Sequence, residues 1–505
     1  MKKRAFFYVV LLLVFGAGIL GMLRWGTRLY PGAEAPGVVL PGNEDSRGAA
    51  ESGEAAPHRT ADDGPTGSNL QHPLSVLFLQ LIVIIAVARW VGTLFRRLGQ
   101  PAVIGEMIAG ILLGPSFLGM LLPTAQSFLF PPASLAALKL FSEIGIILFM
   151  FLVGVDLDLG HLRRKADAAV LVSHASIVVP LSLGVALALF LYPQLAPPGV
   201  PFVGFALFTG TAMSITAFPV LARILAERSL TRTHLGSTAL ACAAVDDATA
   251  WCLLAVVVAI VRAGGWAGSL LTVVSTALFA ATMLLLVRPW LARKVDSGGW
   301  SATGSKTLLA AVLTFVLASA LLTEIIGIHA LFGAFLAGVV MPARAEFRRF
   351  LQERLESFIA VFLLPLFFAF TGLRTQVALL GDVKGWLLCA IIIAAAIAGK
   401  LGGSSVAAKA AGFSWRESLG LGALMNARGL IELIALNIGY EMGVLSPRMF
   451  TMMVLMALIT TCMTGPLLSA LGIGGRSEDS ALAGAHALGG SERAPSRPLG
   501  RTERG

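Results

Sequence analysis

Residues 242–251 read CAAVDDATAW and lie inside an apolar run that extends from about Ser237 to Ile260. Two adjacent carboxylates, Asp246 and Asp247, occupy the middle of this run. An acid at the centre of a membrane helix costs about 2.5–3.5 kcal/mol on insertion scales, so intramembrane acids usually mark functional positions. The stretch therefore predicts a membrane-spanning helix that carries a functional pair of acids.

The composition of the whole chain also indicates a membrane protein. Of its 505 residues, 56% are hydrophobic and 13% are charged, whereas about 25% of the residues of an average soluble protein are charged. So large an apolar surface cannot be buried in one soluble core and must face lipid. The formal charge of +10 does not indicate a nucleic-acid partner, because the basic residues lie in short loops between apolar segments. The four cysteines lie within apolar spans and form no CxxC pair, so no disulfide framework or zinc site is predicted.

Hydropathy divides the chain into four regions. Residues 1–26 have a basic head and an apolar run, which is typical of a signal peptide or of an uncleaved N-terminal anchor helix. The anchor is favoured slightly, because the nearest Ala-x-Ala site does not follow the apolar run directly. Residues 27–73 are predicted to be a disordered extracytoplasmic linker, since they are rich in Gly, Ala, Pro and acids. Residues 74–472 form the transmembrane domain, and residues 473–505 a short disordered cytoplasmic tail.

The transmembrane domain contains thirteen apolar segments that are predicted to span the membrane. Their bounds are 74–93, 101–121, 135–157, 167–191, 200–225, 234–262, 268–289, 305–323, 326–342, 357–373, 385–408, 416–440 and 449–472. About nineteen basic residues flank the loops that follow odd-numbered spans, and five lie on the other side. The positive-inside rule therefore places the C-terminus in the cytoplasm and the start of the first span outside.

Spans 5 and 12 are interrupted by polar and helix-breaking residues. These are Gly210, Thr211, Ser214, Thr216 and Pro219 in span 5, and Asn426, Arg428, Gly429 and Glu432 in span 12. Each is the fifth span of a six-span half, and the single span between the halves inverts the second half relative to the first. Paired interruptions at corresponding positions of two halves are the best sequence indication of a transporter's substrate site.

The two acids of span 6 are predicted to differ in their surroundings. Adjacent residues on a helix point about 100° apart, so Asp246 and Asp247 do not share one face. Burial and a second acid nearby both favour the protonated carboxyl, so the pair can hold either protons or a hard monovalent cation. Such competition is what an antiporter requires. The alternative is that the acids brace neighbouring helices through hydrogen bonds.

Four further polar residues of the predicted spans are interpreted individually. Lys400, deep in span 11, is predicted to pair with Asp246, in an ion pair that breaks when the cation binds; the alternative is that it extends to the cytoplasmic interface. Arg428 and Glu432 lie four residues apart and are predicted to form a structural clamp between spans 5 and 12, with direct cation binding as the alternative. His174 in span 4 is interpreted as a hydrogen-bonded interior histidine rather than a pH sensor.

Five motifs together resemble the monovalent cation:proton antiporter-2 family, in particular its cation/proton exchanger branch. In chain order they are PAVIGEMIAGILLGPS, SITAFPVLARIL, AAVDDATAW, GIHALFGAFLAGVVMP and LMNARGLIELIALNIG, within about residues 74–472. The resemblance implies a homodimer of thirteen-span protomers, each with a dimerisation domain and a six-helix core containing two crossed, broken helices. It implies that Asp247 is the essential carboxylate. It also implies that an aspartate at position 246 pairs with a lysine such as Lys400 and accompanies electrogenic exchange.

The sequence therefore predicts an all-α polytopic membrane protein that exchanges K⁺ or Na⁺ for H⁺ by alternating access, with electrogenic exchange. The predicted partners are the two ions, the lipid bilayer of a bacterial inner membrane and a second copy of the chain. No enzymatic activity and no cofactor are predicted. The alternative is a cation channel or a transport-like sensor on the same fold. An intramembrane aspartyl protease is disfavoured, because that chemistry needs two acids that converge from separate helices.

Overall fold

The regular structure of the chain is helical throughout the part that is described. The computed structural model describes residues 2–30, 72–156, 166–231, 233–262, 266–296, 305–342 and 344–473. Most of the predicted linker and nearly all of the predicted tail lie outside these residues.

The helices follow one another along the chain with short connections. They are α1 (Lys2–Leu29), α2 (Pro73–Arg97), α3 (Ala102–Leu113), α4 (Leu118–Leu121), α5 (Pro123–Leu129), α6 (Pro132–Asp156), α7 (Ala166–Leu195), α8 (Phe202–Ser214), α9 (Phe218–Glu227), α10 (His234–Arg262), α11 (Trp266–Thr282), α12 (Arg288–Asp296), α13 (Ser305–Ile326), α14 (Ala330–Val339), α15 (Ala345–Phe358), α16 (Leu364–Arg374), α17 (Val383–Ile397), α18 (Gly403–Ala410), α19 (Trp415–Met425), α20 (Leu430–Glu441) and α21 (Pro447–Ala470). Three π-helical turns, Met283–Val287, Ile359–Leu363 and Ala398–Gly402, join α11 to α12, α15 to α16 and α17 to α18.

The number of spans agrees with a polytopic membrane protein. Within the described residues, twelve helical stretches, α1 among them, are long and apolar enough to cross a membrane. Helices α19 and α20 together form a thirteenth, which is bent by 44°. The predicted all-α class is therefore confirmed.

The ninth predicted span, 326–342, differs from its prediction. Apart from Ile326, the last residue of α13, only α14 is helical there. Its ten residues extend over about 15 Å, half of the roughly 30 Å hydrocarbon core of a bilayer. Gly327, with φ of +96°, adopts a left-handed conformation that ends α13, and Pro342 follows the other end of α14. Most of α14 is buried by neighbouring helices, which allows a short helix with irregular flanks at this position.

The helices pack as two bundles. One contains α2, α3, α6, α13, α14 and α16, and the other contains α7 to α10 and α17 to α21. In the second bundle α7 and α8 approach closely, because a Cβ atom on Gly184 would lie 2.5 Å from the Cα atom of Gly210. This close approach brings polar side chains of α7 next to the end of α8.

Both interruptions predicted from the sequence are present. Residues 215–217 are extended between α8 and α9, and residues 426–429 separate α19 from α20. The two segments touch, because the Ala217 amide donates a hydrogen bond to the Ala427 carbonyl at 3.1 Å. Pro219 lies in the first turn of α9, where its missing N–H leaves no helical hydrogen bond unmade.

Helix α21 supports the second interruption. The Arg428 amide donates to the Thr461 hydroxyl at 2.8 Å, and the Asn426 side-chain amide donates to the Thr460 carbonyl at 3.3 Å. Unpaired backbone groups are costly at membrane depth, so non-helical segments persist there only where protein or water provides partners. The crossing of the two broken helices is therefore held by specific polar contacts.

Candidate functional site

Asp246 is surrounded by hydrogen-bond donors. Its Oδ1 atom accepts from the Ser173 hydroxyl at 2.5 Å. Its Oδ2 atom accepts from the hydroxyls of Ser176 at 2.5 Å and Thr216 at 2.7 Å, and from Lys400 Nζ at 3.1 Å. The aspartate is fully buried, so this set of donors replaces the water that a carboxylate otherwise requires.

Lys400 lies in the π-helical turn between α17 and α18, and it joins three elements. Its Nζ atom donates to the Ser176 carbonyl at 2.8 Å and to the Ser214 carbonyl at 2.5 Å, besides the ion pair with Asp246. The lysine is fully buried. Its side chain therefore points into the second bundle at the end of α8, and does not extend to an interface.

Asp247 has a different environment, although it is the next residue. It is also buried. Its Oδ1 atom has a single long contact, 3.5 Å from the Phe218 amide at the start of α9. Its Oδ2 atom is buried and has no hydrogen-bond partner among the described residues. The amide end of α9 carries partial positive charge and stabilises a nearby carboxylate. Even so, most of the hydrogen-bonding capacity of Asp247 is unused.

Arg428 binds the broken end of α8 from the opposite interruption. Its guanidinium donates to the carbonyls of Ala212 at 3.0 Å and Met213 at 2.6 Å, and lies 3.3 Å from Glu432 Oε1. With Lys400 on the Ser214 carbonyl, two cations occupy the last carbonyls of α8. Helix C-termini carry partial negative charge, so this arrangement stabilises the break.

Several oxygen atoms of the interrupted helices are buried without a hydrogen-bond partner in the described structure. Besides Asp247 Oδ2 they include Thr211 Oγ1, Asn426 Oδ1 and Glu432 Oε2. Buried polar atoms are usually satisfied in folded proteins, and exceptions concentrate at functional positions or at sites of bound water or ions. These oxygens are of the chemical type that hard cations prefer. Of the remaining predicted site residues, Ser214 uses its hydroxyl locally, donating to the Thr211 carbonyl at 2.7 Å.

A cavity of about 390 Å³ leads from one side of the protein to this region. It lies between the two bundles and is lined by Phe218, Pro219 and Leu430 at the interruptions, and by Asp156 and Arg223 nearer its mouth. Asp156 ends α6, which places the cavity at the C-terminal end of that helix. The cavity therefore reaches Phe218, the residue whose amide contacts Asp247.

A second cavity, of about 360 Å³, lies at the other end of α6. Ion pairs between the two bundles line it. Lys139 of α6 and Arg374 of α16 lie 3.4 Å and 3.0 Å from the carboxylate of Glu441 in α20, and Arg262 of α10 lies 3.6 Å from Glu324 of α13. Two cavities therefore enter the boundary between the bundles from opposite sides.

The structure brings together residues that the sequence interpretation did not select. Ser173 and Ser176 complete the surroundings of Asp246, but only their neighbour His174 stood out in the sequence. The spacing of three residues places both serines on one face of α7, and that spacing was the available signal. The His174 ring itself faces elsewhere, with Nδ1 2.8 Å from the Val170 carbonyl.

The chain is similar to several known proteins. A family model described as sodium/hydrogen exchanger, transmembrane, matches residues 82–473. The chain is 46% identical over 395 residues to Na(+)/H(+) antiporter NhaS4 of Synechocystis sp., and the match covers 78% of this chain and 96% of that protein. It is 42% identical to Cation/H(+) antiporter 20 of Arabidopsis thaliana, covering 81% and 49%, and 32% identical to K(+)/H(+) antiporter 1 of Saccharomyces cerevisiae, covering 80% and 47%. The chain thus spans about half the length of these last two relatives.

Among solved structures, the sodium proton antiporter MjNhaP1 of Methanocaldococcus jannaschii is similar in fold. The TM-score is 0.57 at 14% sequence identity, and the match covers 79% of this chain and 97% of that one. At this identity the similarity concerns the fold alone.

Proposed function

Because the chain belongs to the sodium/hydrogen exchanger family, we propose that it is a secondary antiporter that exchanges Na⁺ or K⁺ for H⁺ across a membrane. The observation that carries the proposal is the contrast between two adjacent buried carboxylates at the crossing of two broken helices. Asp246 is saturated with donors, whereas Asp247 has one long contact and an unpartnered oxygen. The relatives named above exchange different monovalent cations by name, so the cation is Na⁺ or K⁺.

In this proposal Asp247 is the carrier of the transported ion. A buried carboxylate with free lone pairs can be neutralised either by a proton or by a cation, but not by both at once. The unused oxygens of Thr211 and Asn426 on the interrupted helices are candidate ligands for the dehydrated cation. Mutually exclusive occupancy of one carboxylate couples the two ion flows without any covalent step.

The two cavities support alternating access as the mechanism of the proposed exchange. The cavity beside Phe218 lies at the end of α6 and reaches the start of α9, and the ion pairs of Glu441 and Glu324 join the bundles at the other end of α6. Sliding of the second bundle against the first, with rupture of these pairs, would close the first path and open the second. Rocking of one bundle around a site near the midplane is a common transporter mechanism.

We propose that the exchange is electrogenic and that the ion pair between Lys400 and Asp246 is responsible. If a proton leaves Lys400 while a cation displaces the proton of Asp247, two protons are exchanged for one cation. The net charge of the second bundle with its bound ions then differs by one elementary charge between the half-cycle that carries the cation and the half-cycle that carries protons. Transfer of one charge across the membrane is worth about 2.3 kcal/mol per 100 mV, so the rate should depend on the membrane potential.

We place the protein in the inner membrane of a bacterium, as a homodimer with its C-terminus in the cytoplasm. The orientation rests on the excess of basic residues on the side where α6 ends. The cavity beside Phe218 then faces the cytoplasm. The dimer rests on the resemblance to the cation:proton antiporters.

Ion flux through the purified protein tests the proposal. In proteoliposomes with a lumenal pH dye, an imposed pH gradient should drive uphill accumulation of Na⁺ or K⁺, with a parallel proton movement. A channel dissipates a cation gradient but cannot create one. If cation accumulation never exceeds its equilibrium value at the membrane potential, the antiporter proposal fails and a channel is supported. Trials with Na⁺, K⁺, Li⁺ and Rb⁺ across a pH series identify the cation.

The electrogenic step is tested by Asp246→Asn under a clamped potential. The variant should keep measurable exchange but lose most of the voltage dependence of the wild type, since the lysine no longer faces a charged partner. Equal voltage dependence in the two proteins would refute the role of the ion pair.

A further inference from the structure

The N-terminal helix α1 lies outside the part of the chain that matches the exchanger family. The family model begins at residue 82, whereas α1 ends at Leu29. At 28 residues it is about 42 Å long, enough to cross a bilayer with some tilt. Its role is therefore not explained by the antiport site.

One face of α1 is fitted to the second bundle from Tyr8 to the residue that follows the helix, Tyr30. The residues on this face repeat every three or four positions, and they are Tyr8, Leu11, Phe15, Ile19, Met22, Gly26 and Tyr30. The opposite face carries exposed apolar residues, which are Val9, Leu13, Val14, Leu20, Trp25 and Leu29. A helix with one face packed and an apolar outer face is expected at the edge of a membrane bundle.

The contacts at the C-terminal end of α1 are specific. The Tyr30 hydroxyl donates to the Leu189 carbonyl of α7 at 2.9 Å, and its ring lies 4.9 Å from the Tyr192 ring and 5.8 Å from the Phe202 ring. Gly26 lies directly against Phe202, because a Cβ atom there would be 2.0 Å from the ring. A side chain at this position would have to displace the Phe202 ring, so glycine favours the close approach of α1 to the start of α8.

The contact at the other end fixes the direction of α1. The Tyr8 ring lies edge-on to His174 at 5.4 Å, near the start of α7, whereas Tyr30 lies near the end of α7. The two helices are therefore parallel. The N-terminus of α1 lies on the side where α6 ends and α7 begins, which the basic residues assign to the cytoplasm. Its basic residues Lys2, Lys3 and Arg4 agree with that assignment.

The position of α1 also suits the chain connection. Helices α2 and α3 are antiparallel and cross the bundle in opposite directions. Since α6 begins on the side where α3 ends, α2 and α6 begin on the same side. Helix α1 ends on that same side. The end of α1 and the start of α2 therefore lie on the same side of the bundles.

We propose that α1 is retained as a membrane-spanning helix and that it is docked permanently on α7 and α8 as an additional member of the second bundle. The surface formed by His174, Leu189, Tyr192 and Phe202 is its docking site. The movement of α1 together with this bundle rests on the proposed alternating access. Its retention and its docking do not.

Intact mass measurement of the full-length protein, purified from membranes through a C-terminal tag, tests retention. The mass should include residues 1–30. A mature chain that begins after Ala35 would overturn the proposal.

Cysteine cross-linking in membranes tests docking, in a background where the four native cysteines are replaced. The pair Tyr30→Cys with Tyr192→Cys should form a cross-link with a short bifunctional thiol reagent in most molecules. The matched control is Leu29→Cys with Tyr192→Cys, because Leu29 lies on the exposed face, and it should react at least fivefold less. Equal yields from the two pairs would mean that α1 has no fixed position.

A glycine comparison tests the fit without removing the helix. Gly26→Leu should lower the Tyr30–Tyr192 cross-link yield several-fold, because the added side chain collides with Phe202. Gly21→Leu should leave the yield unchanged, since a Cβ atom there has no neighbour within 4 Å. Equal yields in both variants would overturn the docking site.

Exchange by the cross-linked protein tests the shared movement. Locking α1 to α7 should leave exchange in proteoliposomes within about twofold of the uncross-linked protein. If locking abolishes exchange while the wild type is active, α1 does not move with the bundle. If the wild type itself shows no exchange, the antiport proposal fails, and the mass and cross-linking results still decide retention and docking.

Discussion

Asp246 and Asp247 are neighbours on one helix, yet their surroundings are opposite. Asp246 accepts hydrogen bonds from three hydroxyls and an ammonium group, whereas Asp247 has one long amide contact. Hydrogen bonds to a carboxylate stabilise its charged form, and burial without them favours its neutral form. The number of surrounding donors therefore distinguishes a buried acid that is held by the fold, Asp246, from one whose oxygens are open to the proposed transport, Asp247.

The largest effect is expected from Asp247→Asn. This change removes the proposed ion carrier and keeps nearly the same side-chain volume, so cation-dependent proton flux should fall by at least about 100-fold while the protein still folds. The measurement is dequenching of a pH dye in proteoliposomes. The control is Asp382→Asn, an exposed aspartate. An exchange rate in Asp247→Asn equal to that of the wild type would show that Asp247 is not the ion carrier.

Lys400→Ala should have the largest effect on stability. It leaves the buried Asp246 carboxylate without its counter-charge, and breaking a buried ion pair in this way costs about 3–5 kcal/mol. The measurement is the unfolding midpoint of the detergent-solubilised protein. Replacing both partners, as in Asp246→Asn with Lys400→Met, should recover a large part of the loss, because no unpaired charge remains. An unchanged midpoint in Lys400→Ala would show that the pair contributes little to the folded state.

Thr216→Val should have an intermediate effect. It removes one of the four donors to Asp246 and keeps the shape of the side chain, at an expected cost of about 1.5–3 kcal/mol for a hydrogen bond to a charged group. Thr249→Val is a control on the same helix as the acids, since the Thr249 hydroxyl bonds only to its own helix, at the Val245 carbonyl. Equal destabilisation by the two changes would mean that the hydroxyl at position 216 has no special role.

The smallest effect is expected at an exposed ion pair, Asp382 with Arg448. Asp382 begins α17, and hydrogen bonding to the Gly385 amide, with the Arg448 charge as a lesser cause, lowers the pKa of Asp382 below its ordinary value. The stabilisation is therefore present at pH 7 and is lost as the pH falls through the lowered pKa. Asp382→Ala should reduce the melting temperature slightly at pH 7, and the difference should shrink below about pH 4. A difference that is constant between pH 7 and pH 3 would contradict this reading.

Local sequence patterns predicted much of the fold. Long apolar runs predicted the spans, and Pro, Gly and polar residues predicted the interruptions at 215–217 and 426–429, because these residues weaken helices wherever they occur. The prediction was wrong in length at the ninth span, where hydropathy extended through Gly327 and Ile328. Hydropathy averages over neighbours and does not detect a left-handed glycine that ends a helix.

The candidate site was predicted in part. A charged residue inside an apolar run stands out by itself, so Asp246, Asp247, Lys400 and Arg428 were selected from the sequence. Serine and threonine are ordinary in membrane helices. Ser173 and Ser176 were therefore missed, since their spacing of three residues is a weak signal and only the structure shows their distance to Asp246.

The sequence by itself determined that this protein crosses the membrane many times, that two of its helices are interrupted and that charged groups are buried among them. These properties follow from the cost of placing each residue type in lipid, which is local. Only the tertiary structure decided which of two adjacent acids is saturated with donors, where the cavities lie and which helices α1 covers. Those properties depend on distances between residues far apart in the chain, and a membrane helix can direct neighbouring side chains to entirely different partners.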